Sequence, residues 1–188
     1  MHRLITILFV LVSLFVSTSA YAEIGSQMIV SARGNAVVSE KLTIGVHGAV
    51  FMAPQMKPIG FLYVGPGFQI TDWWWTSPRV GVAHNWFASV PAPIVSSWNL
   101  FSAGDFSVFT ETEIYISAQQ VDFYGLYMID YSIGDLSVGL QGEQVNLGIK
   151  VGPHVGLAIG KHLSVNTQYY WDFMDGHTLR LVLSAKIN

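Results

Sequence analysis

The chain has 188 residues, 51% of them hydrophobic and only 11% charged, with a formal net charge of −3 and no cysteine. A charged fraction less than half of the ~25% usual for soluble domains excludes a conventional water-coated surface. The lack of cysteine excludes a disulfide scaffold, and a mildly acidic balance with no basic stripe excludes nucleic acid as a partner.

The segment 4–16 is almost wholly apolar and follows Arg3, and Ala20-Tyr21-Ala22 supplies an A-x-A cleavage site. This is the pattern of a secretory signal peptide, too short in its apolar stretch to span a bilayer as a stable helix. Residues 1–22 are expected to be removed, leaving 23–188 as one domain. That removal takes away one of the nine basic residues and none of the twelve acidic ones. The remaining 166 residues then carry 20 formal charges, a net of −4.

From there the chain reads as short runs rich in β-branched and aromatic residues, broken by turn chemistry such as Ser39-Glu40-Lys41, Gly104-Asp105, Gly134-Asp135 and Gly160-Lys161-His162. The runs are 25–38, 42–53, 60–70, 75–88, 94–103, 106–117, 121–133, 136–144, 147–159, 163–173 and 177–187. Within 147–159, Leu147, Ile149, Val151, Pro153, Val155, Leu157 and Ile159 alternate with Gly148, Lys150, Gly152, His154, Gly156 and Ala158. Leu136, Val138 and Leu140 repeat that rhythm, as do Leu179, Leu181 and Leu183. Each strand therefore has one greasy face and one small or polar face.

Too little charge is present to coat an exterior, so the greasy face is expected to meet lipid and the polar face to fill the interior. No later stretch approaches the ~20 apolar residues of a spanning helix. A closed barrel is the other structure that pairs every backbone group in lipid. The fold expected is all-β: a closed antiparallel transmembrane β-barrel of about ten strands, within a range of eight to twelve. Eleven runs is an odd count, and the weakest, 94–103, reads as part of a loop. A two-residue turn at Gly134-Asp135 pairs Ile133 with Leu136 and keeps both on the apolar face. The prolines of Val64-Gly65-Pro66 and Val151-Gly152-Pro153 each remove a ladder donor, so a local irregularity is expected at both.

The signal peptide, dyad alternation, Gly-rich inner faces and aromatic borders resemble those of small bacterial outer-membrane β-barrel proteins over the whole of 23–188. The resemblance implies an outer-membrane location, contact with its lipid and lipopolysaccharide, and insertion by the barrel assembly machinery. It also implies a structural or small-solute passage role with no catalytic centre. The chain departs from the pattern in its short loops and in ending Lys186-Ile187-Asn188, where such proteins commonly end in an aromatic residue. A secreted soluble barrel with a ligand cavity is the reading that the charge count disfavours.

Trp73, Trp74, Trp75, Trp86, Tyr169 and Trp171 are the candidates for an aromatic girdle, since their rings suit the boundary between acyl chains and water. A sugar- or lipid-binding platform is the alternative, although adjacent strand residues face opposite ways. On the inner face, register arithmetic places Lys150 opposite Asp172 and His154 opposite Gln168. Arg180 lies diagonal to Asp172 if Asp175-Gly176 is a turn, and Glu143 approaches Lys150 from the other side. Glu143, Lys150, Asp172 and Arg180 are thus expected to form a lumen charge cluster, either a salt-bridged core or the lining of a hydrophilic path. Glu111, Glu113, Asp122 and Asp130 form a second, acidic lumen set able to attract cations.

His162 and Ser164, two apart, faintly resemble the His-x-Ser pair of outer-membrane lipid A deacylases, which implies a lipid-modifying enzyme as the alternative function. The expected glutamate partner is lacking, since Asp175-Gly176-His177-Thr178 has no Glu. No phosphate loop, dinucleotide fingerprint or zinc signature occurs, so no cofactor is expected. His47, His84 and His154 lie on separate runs without metal-ligand spacing, so no metal is expected either.

Overall fold

The computed structural model describes residues 24–54, 56–85, 91–117, 120–172 and 176–187, so the expected signal peptide and Trp86 lie outside the described residues. The chain forms eleven strands: β1 (Ile24–Ser39), β2 (Leu42–Ala53), β3 (Met56–Thr71), β4 (Trp74–Asn85), β5 (Ala92–Ala103), β6 (Phe106–Ile116), β7 (Val121–Ile133), β8 (Leu136–Val145), β9 (Gly148–Ile159), β10 (Leu163–Asp172) and β11 (Gly176–Ile187). They close into a barrel in sequence order. The run 94–103 is a full strand, β5, which raises the count from ten to eleven.

An odd count has a geometric consequence. Each consecutive pair is antiparallel, so the first and eleventh strands point the same way and must close in parallel. The seam pairs Gln27 with Arg180 and Ser31 with Ser184. No hairpin holds this pair together.

One end of the barrel carries the connections 40–41, 72–73, 104–105, 134–135 and 160–162, all of two or three residues. Gly104 and Gly134 sit there at φ 61° and 60°, as a Gly-Asp hairpin turn requires at its first central residue. Ile133 pairs with Leu136, so this hairpin has the expected register. Connections at the opposite end are longer on average and include 86–91 and 117–120.

The two prolines behave alike. Partners are continuous in register on either side of Pro66 in β3–β4 and of Pro153 in β9–β10, but the ladder skips the positions between. The irregularity is an interruption rather than an inserted residue. At these places the strands come close: a Cβ on Gly65 would strike the Pro78 carbonyl, and one on Gly152 the Tyr169 carbonyl.

The barrel is turned inside out relative to a soluble one. Arg79, Glu113, Gln141, Glu143, His154 and Arg180 are buried inside, packed among Tyr63, Ile94, Trp98 and Tyr170. Outward positions such as Ile44, Val46, Leu62, Val64, Leu140 and Val155 are exposed, Leu140 by 63%. Leu181 has the same outward phase but is buried (3% exposed).

Candidate functional site

The interior at mid-barrel mixes charged and amide side chains with the rings of Tyr63, Trp98 and Tyr170. Its best-formed centre is Arg180 on β11. Both terminal nitrogens meet Glu143 on β8, Nη1 donating to Oε1 at 3.0 Å and Nη2 to Oε2 at 2.9 Å. Nε and Nη2 also donate to Gln27 Oε1 on β1 at 2.8 and 2.6 Å, and Nη1 donates to the Tyr170 hydroxyl at 3.1 Å. Those contacts can use all five N–H groups of the guanidinium. Tyr170 hands its own proton to Gln168 Oε1 at 3.1 Å. A fork-on-fork pair of this kind is the favourable form of a buried ion pair, because the remaining donors are also satisfied.

The expected lumen cluster is thus partly assembled. Glu143 and Arg180 meet, and Lys150 lies beside Glu143 in register with its backbone opposite Asp172. His154 is opposite Gln168, as the spacing implied. Asp172 and Arg180 are not neighbours. Asp172 pairs with Gly176, whereas Arg180 pairs with Gln168, four residues further along. At about 3.3 Å per residue that separates them by roughly 13 Å. The reason is the start of β11 at Gly176, which shifts the register from that of a two-residue Asp175-Gly176 turn. The Asp172 side chain lies outside the described residues.

A second centre surrounds Arg79 on β4. Its guanidinium carbon lies 3.8 Å from the centroid of the Trp98 ring, and Nε donates to Ser77 Oγ at 3.0 Å. Ser77 in turn donates to the Pro66 carbonyl at 2.7 Å. His47 and Tyr63 pack against the same indole, with ring centroids 5.0 and 5.8 Å away. Arg79, Ser96 and Glu113 occupy one row across β4, β5 and β6. Among the described residues, each keeps a buried polar atom without a hydrogen-bond partner: Nη1, Oγ and Oε1 respectively. The other oxygen of Glu113 accepts from the Tyr115 hydroxyl.

The acidic set does not gather in one place. Glu111 and Glu113 face inward from β6 near the Arg79 centre. Asp130 contacts His154, its Oδ1 3.4 Å from Nε2, an ion-pair distance rather than an aligned hydrogen bond. Gly139 stands between them in register, and a Cβ there would lie 2.6 Å from His154 Nε2. The other ring nitrogen, Nδ1, contacts Asn166 Nδ2 at 3.1 Å. Asp122 sits at the far end of the same strand, accepting from Gln120 and Asn146. Eight residues of β7 separate Asp122 from Asp130, which is why period two alone brought them to one face without bringing them together. Among the described residues, no group of three or more His, Cys, Asp or Glu side chains is placed to hold a metal ion.

The aromatic residues divide between the two ends. Trp73 and Trp74 stack with Phe101 at the short-turn end, at centroid distances of 6.1 and 5.9 Å. Tyr169 stacks on His177 and bonds its ring nitrogen at the other end, where Trp171 is exposed. Trp75 is the exception within the expected girdle. It turns inward, its indole over Gly67, because the strand sends alternate residues to opposite faces.

His162 lies in the 160–162 turn and its Nδ1 donates to the Lys186 carbonyl at 3.2 Å. Ser164 is exposed on the inward face near that rim, opposite Ser184. Among the described residues, no carboxylate bonds to either.

Sequence reasoning missed Arg79, Trp98, Gln27 and Tyr170. Arg79 sits on an alternating strand and was legible as inward. Gln27 was not, because its contact crosses a seam whose direction depends on the strand count. Comparison with family models, curated proteins and solved structures finds no match.

Proposed function

We propose that this chain is an outer-membrane β-barrel protein with a structural role, its lumen closed by the ion-paired core. The observation that carries the reading is the inversion of polarity. The outer wall exposes Val, Ile and Leu side chains on most strands, and the buried charges face inward. Water offers no reason for such a wall, whereas hydrocarbon does. Strands of ten to sixteen residues are long enough for the task, since about 9–11 tilted residues cross a bilayer. Aromatic groups near both ends match the two interfaces of a membrane.

Accessibility along the inward face supports a closed lumen. Inward Arg33, Asn35 and Lys186 are exposed near the short-turn end, whereas His154, Gln168, Glu113 and Arg180 at mid-barrel are buried. Passage of a solute needs room that these side chains occupy.

Leu140→Arg and Ser184→Arg test the reading together. Arginine on a lipid face costs about 2–4 kcal/mol near the midplane, whereas an inward position near the rim keeps polar company. We expect Leu140→Arg to impair refolding into vesicles and Ser184→Arg to cost no more than its one bond to Ser31, about 1 kcal/mol. Equal losses, or recovery of the wild-type protein as a soluble monomer without detergent, would overturn the proposal. Planar-bilayer recordings should give no sustained open conductance from the wild type.

A further inference from the structure

The outer wall is mostly apolar, and among the described residues its polar side chains cluster in one place. On β4, β5 and β6 the outward positions include Thr76, Ser97, Asn99, Thr110 and Thr112. Their outward direction follows from their neighbours in the chain: Ser77, Trp98, Glu111 and Glu113 all point into the core. Thr76, Asn99 and Thr110 form one row across the three strands, and Ser97 and Thr112 lie side by side in the next. Beside the patch, the outward faces of β2 and β3 carry Ile44, Val46, Leu62 and Val64, all exposed.

Bonds within the patch are long. Asn99 Nδ2 reaches Thr110 Oγ1 at 3.4 Å, and Thr112 Oγ1 reaches the Ser97 carbonyl at 3.5 Å. An asparagine amide has two donor hydrogens and a carbonyl acceptor, so hydrogen-bonding capacity is left on the outer surface. Acyl chains offer no partner for it, and polar groups facing lipid are costly. Next in the two rows come Tyr127 and Gly125 on β7, and the Tyr127 ring lies over Gly125 with its hydroxyl at the edge of the patch.

We infer that this patch is the docking surface for a second copy of the chain within the membrane. The inference rests on the membrane reading above. A second copy is the occupant because the patch carries no formal charge and is self-complementary. Asn, Ser and Thr each donate and accept, so a two-fold axis near Asn99 sets its amide against the same amide of the second copy, donor to acceptor in both directions. A charged partner would find nothing to pair with here, and lipid would leave the amide unsatisfied.

The experiment uses the full chain refolded into phosphatidylcholine vesicles, first floated on a density gradient. Failure to float with the vesicles overturns the membrane reading and this inference with it. In floated samples, single-cysteine variants Asn99→Cys and Val155→Cys are oxidised; the chain has no cysteine of its own. We expect Asn99→Cys to cross-link to itself and Val155→Cys, on the opposite wall, to remain monomeric. Dimer affinity is then measured by energy transfer between labelled copies across protein-to-lipid ratios. Asn99→Leu should weaken it about tenfold, the size expected for one or two hydrogen bonds in lipid, while the barrel still shows its heat-dependent gel shift. A wild type that stays monomeric at every ratio, or a dimer that ignores Asn99→Leu, would overturn the inference.

Discussion

Arg180 and Arg79 both point into the barrel from a strand, both lie against an aromatic ring, and both are almost wholly buried. Their surroundings differ. Arg180 has a carboxylate, a carboxamide and a phenol arranged around its N–H groups, whereas Arg79, among the described residues, has a hydroxyl bond at Nε, an indole face and an unpartnered Nη1. The difference follows the topology. Arg180 and Gln27 bridge β11 and β1, the one neighbouring pair joined by no hairpin and the one parallel pair, which is slightly weaker per residue. A second side-chain bond, Ser31 Oγ to Ser184 Oγ at 2.8 Å, crosses the same seam. Arg79 lies on the wall where consecutive strands are tethered by the chain itself. Of these two buried arginines, the fully bonded one stands where loop closure is longest and pairing has least covalent help.

The largest expected effect comes from breaking the seam centre. Arg180→Met leaves Glu143 buried without its cation, and removal of one partner of a buried pair costs about 3–5 kcal/mol. Urea unfolding in detergent should register that loss. Arg180→Met combined with Glu143→Met should recover most of it, because the pair is then replaced by apolar volume. A double variant as weak as the single one would show that the ion pair is not what Glu143 contributes.

Arg79→Met sharpens the contrast. A desolvated cation–π stack is worth about 2 kcal/mol and the Ser77 bond about 1. Against this, the variant removes a buried donor that has no partner, a relief of about 1–3 kcal/mol. The net loss expected is about 1 kcal/mol, well below that of Arg180→Met in the same unfolding assay. Equal losses for the two arginines would erase the distinction between seam and wall.

How far the sequence discloses these features depends on which contacts follow the ladder. Alternation exposed the strands and the inward phase of Glu143, Lys150, His154 and Arg180, and hairpin arithmetic found the partners of β9 and β10. The same alternation failed for β5. Its inward set mixes Ile94, Ser96 and Trp98, and its outward set mixes Val95, Ser97 and Asn99, so neither face reads as greasy. That chemistry made the segment look like a loop, and the count of ten then hid the parallel closure. Arg180 reaches Glu143 across the lumen from three strands away, and Gln27 across the seam. Contacts of that kind depend on curvature and closure, which no local pattern encodes.

The smallest expected effect has the most informative sign. Gln141 on β8 is buried on the inward face, and both atoms of its amide lack partners. Glu143, two residues along the same strand, is fully engaged with Arg180. If satisfied bonding belongs to the seam centre alone, Gln141 contributes packing volume and a desolvation cost. Gln141→Leu keeps similar volume and removes the buried amide, whose unpaired groups cost about 1–3 kcal/mol. We expect unfolding resistance to stay the same or rise by about 1 kcal/mol, the shortfall reflecting imperfect fit of the branched side chain. A loss above about 2 kcal/mol would mean that the amide is satisfied in the folded barrel, and that the core away from Arg180 is bonded as well as the seam.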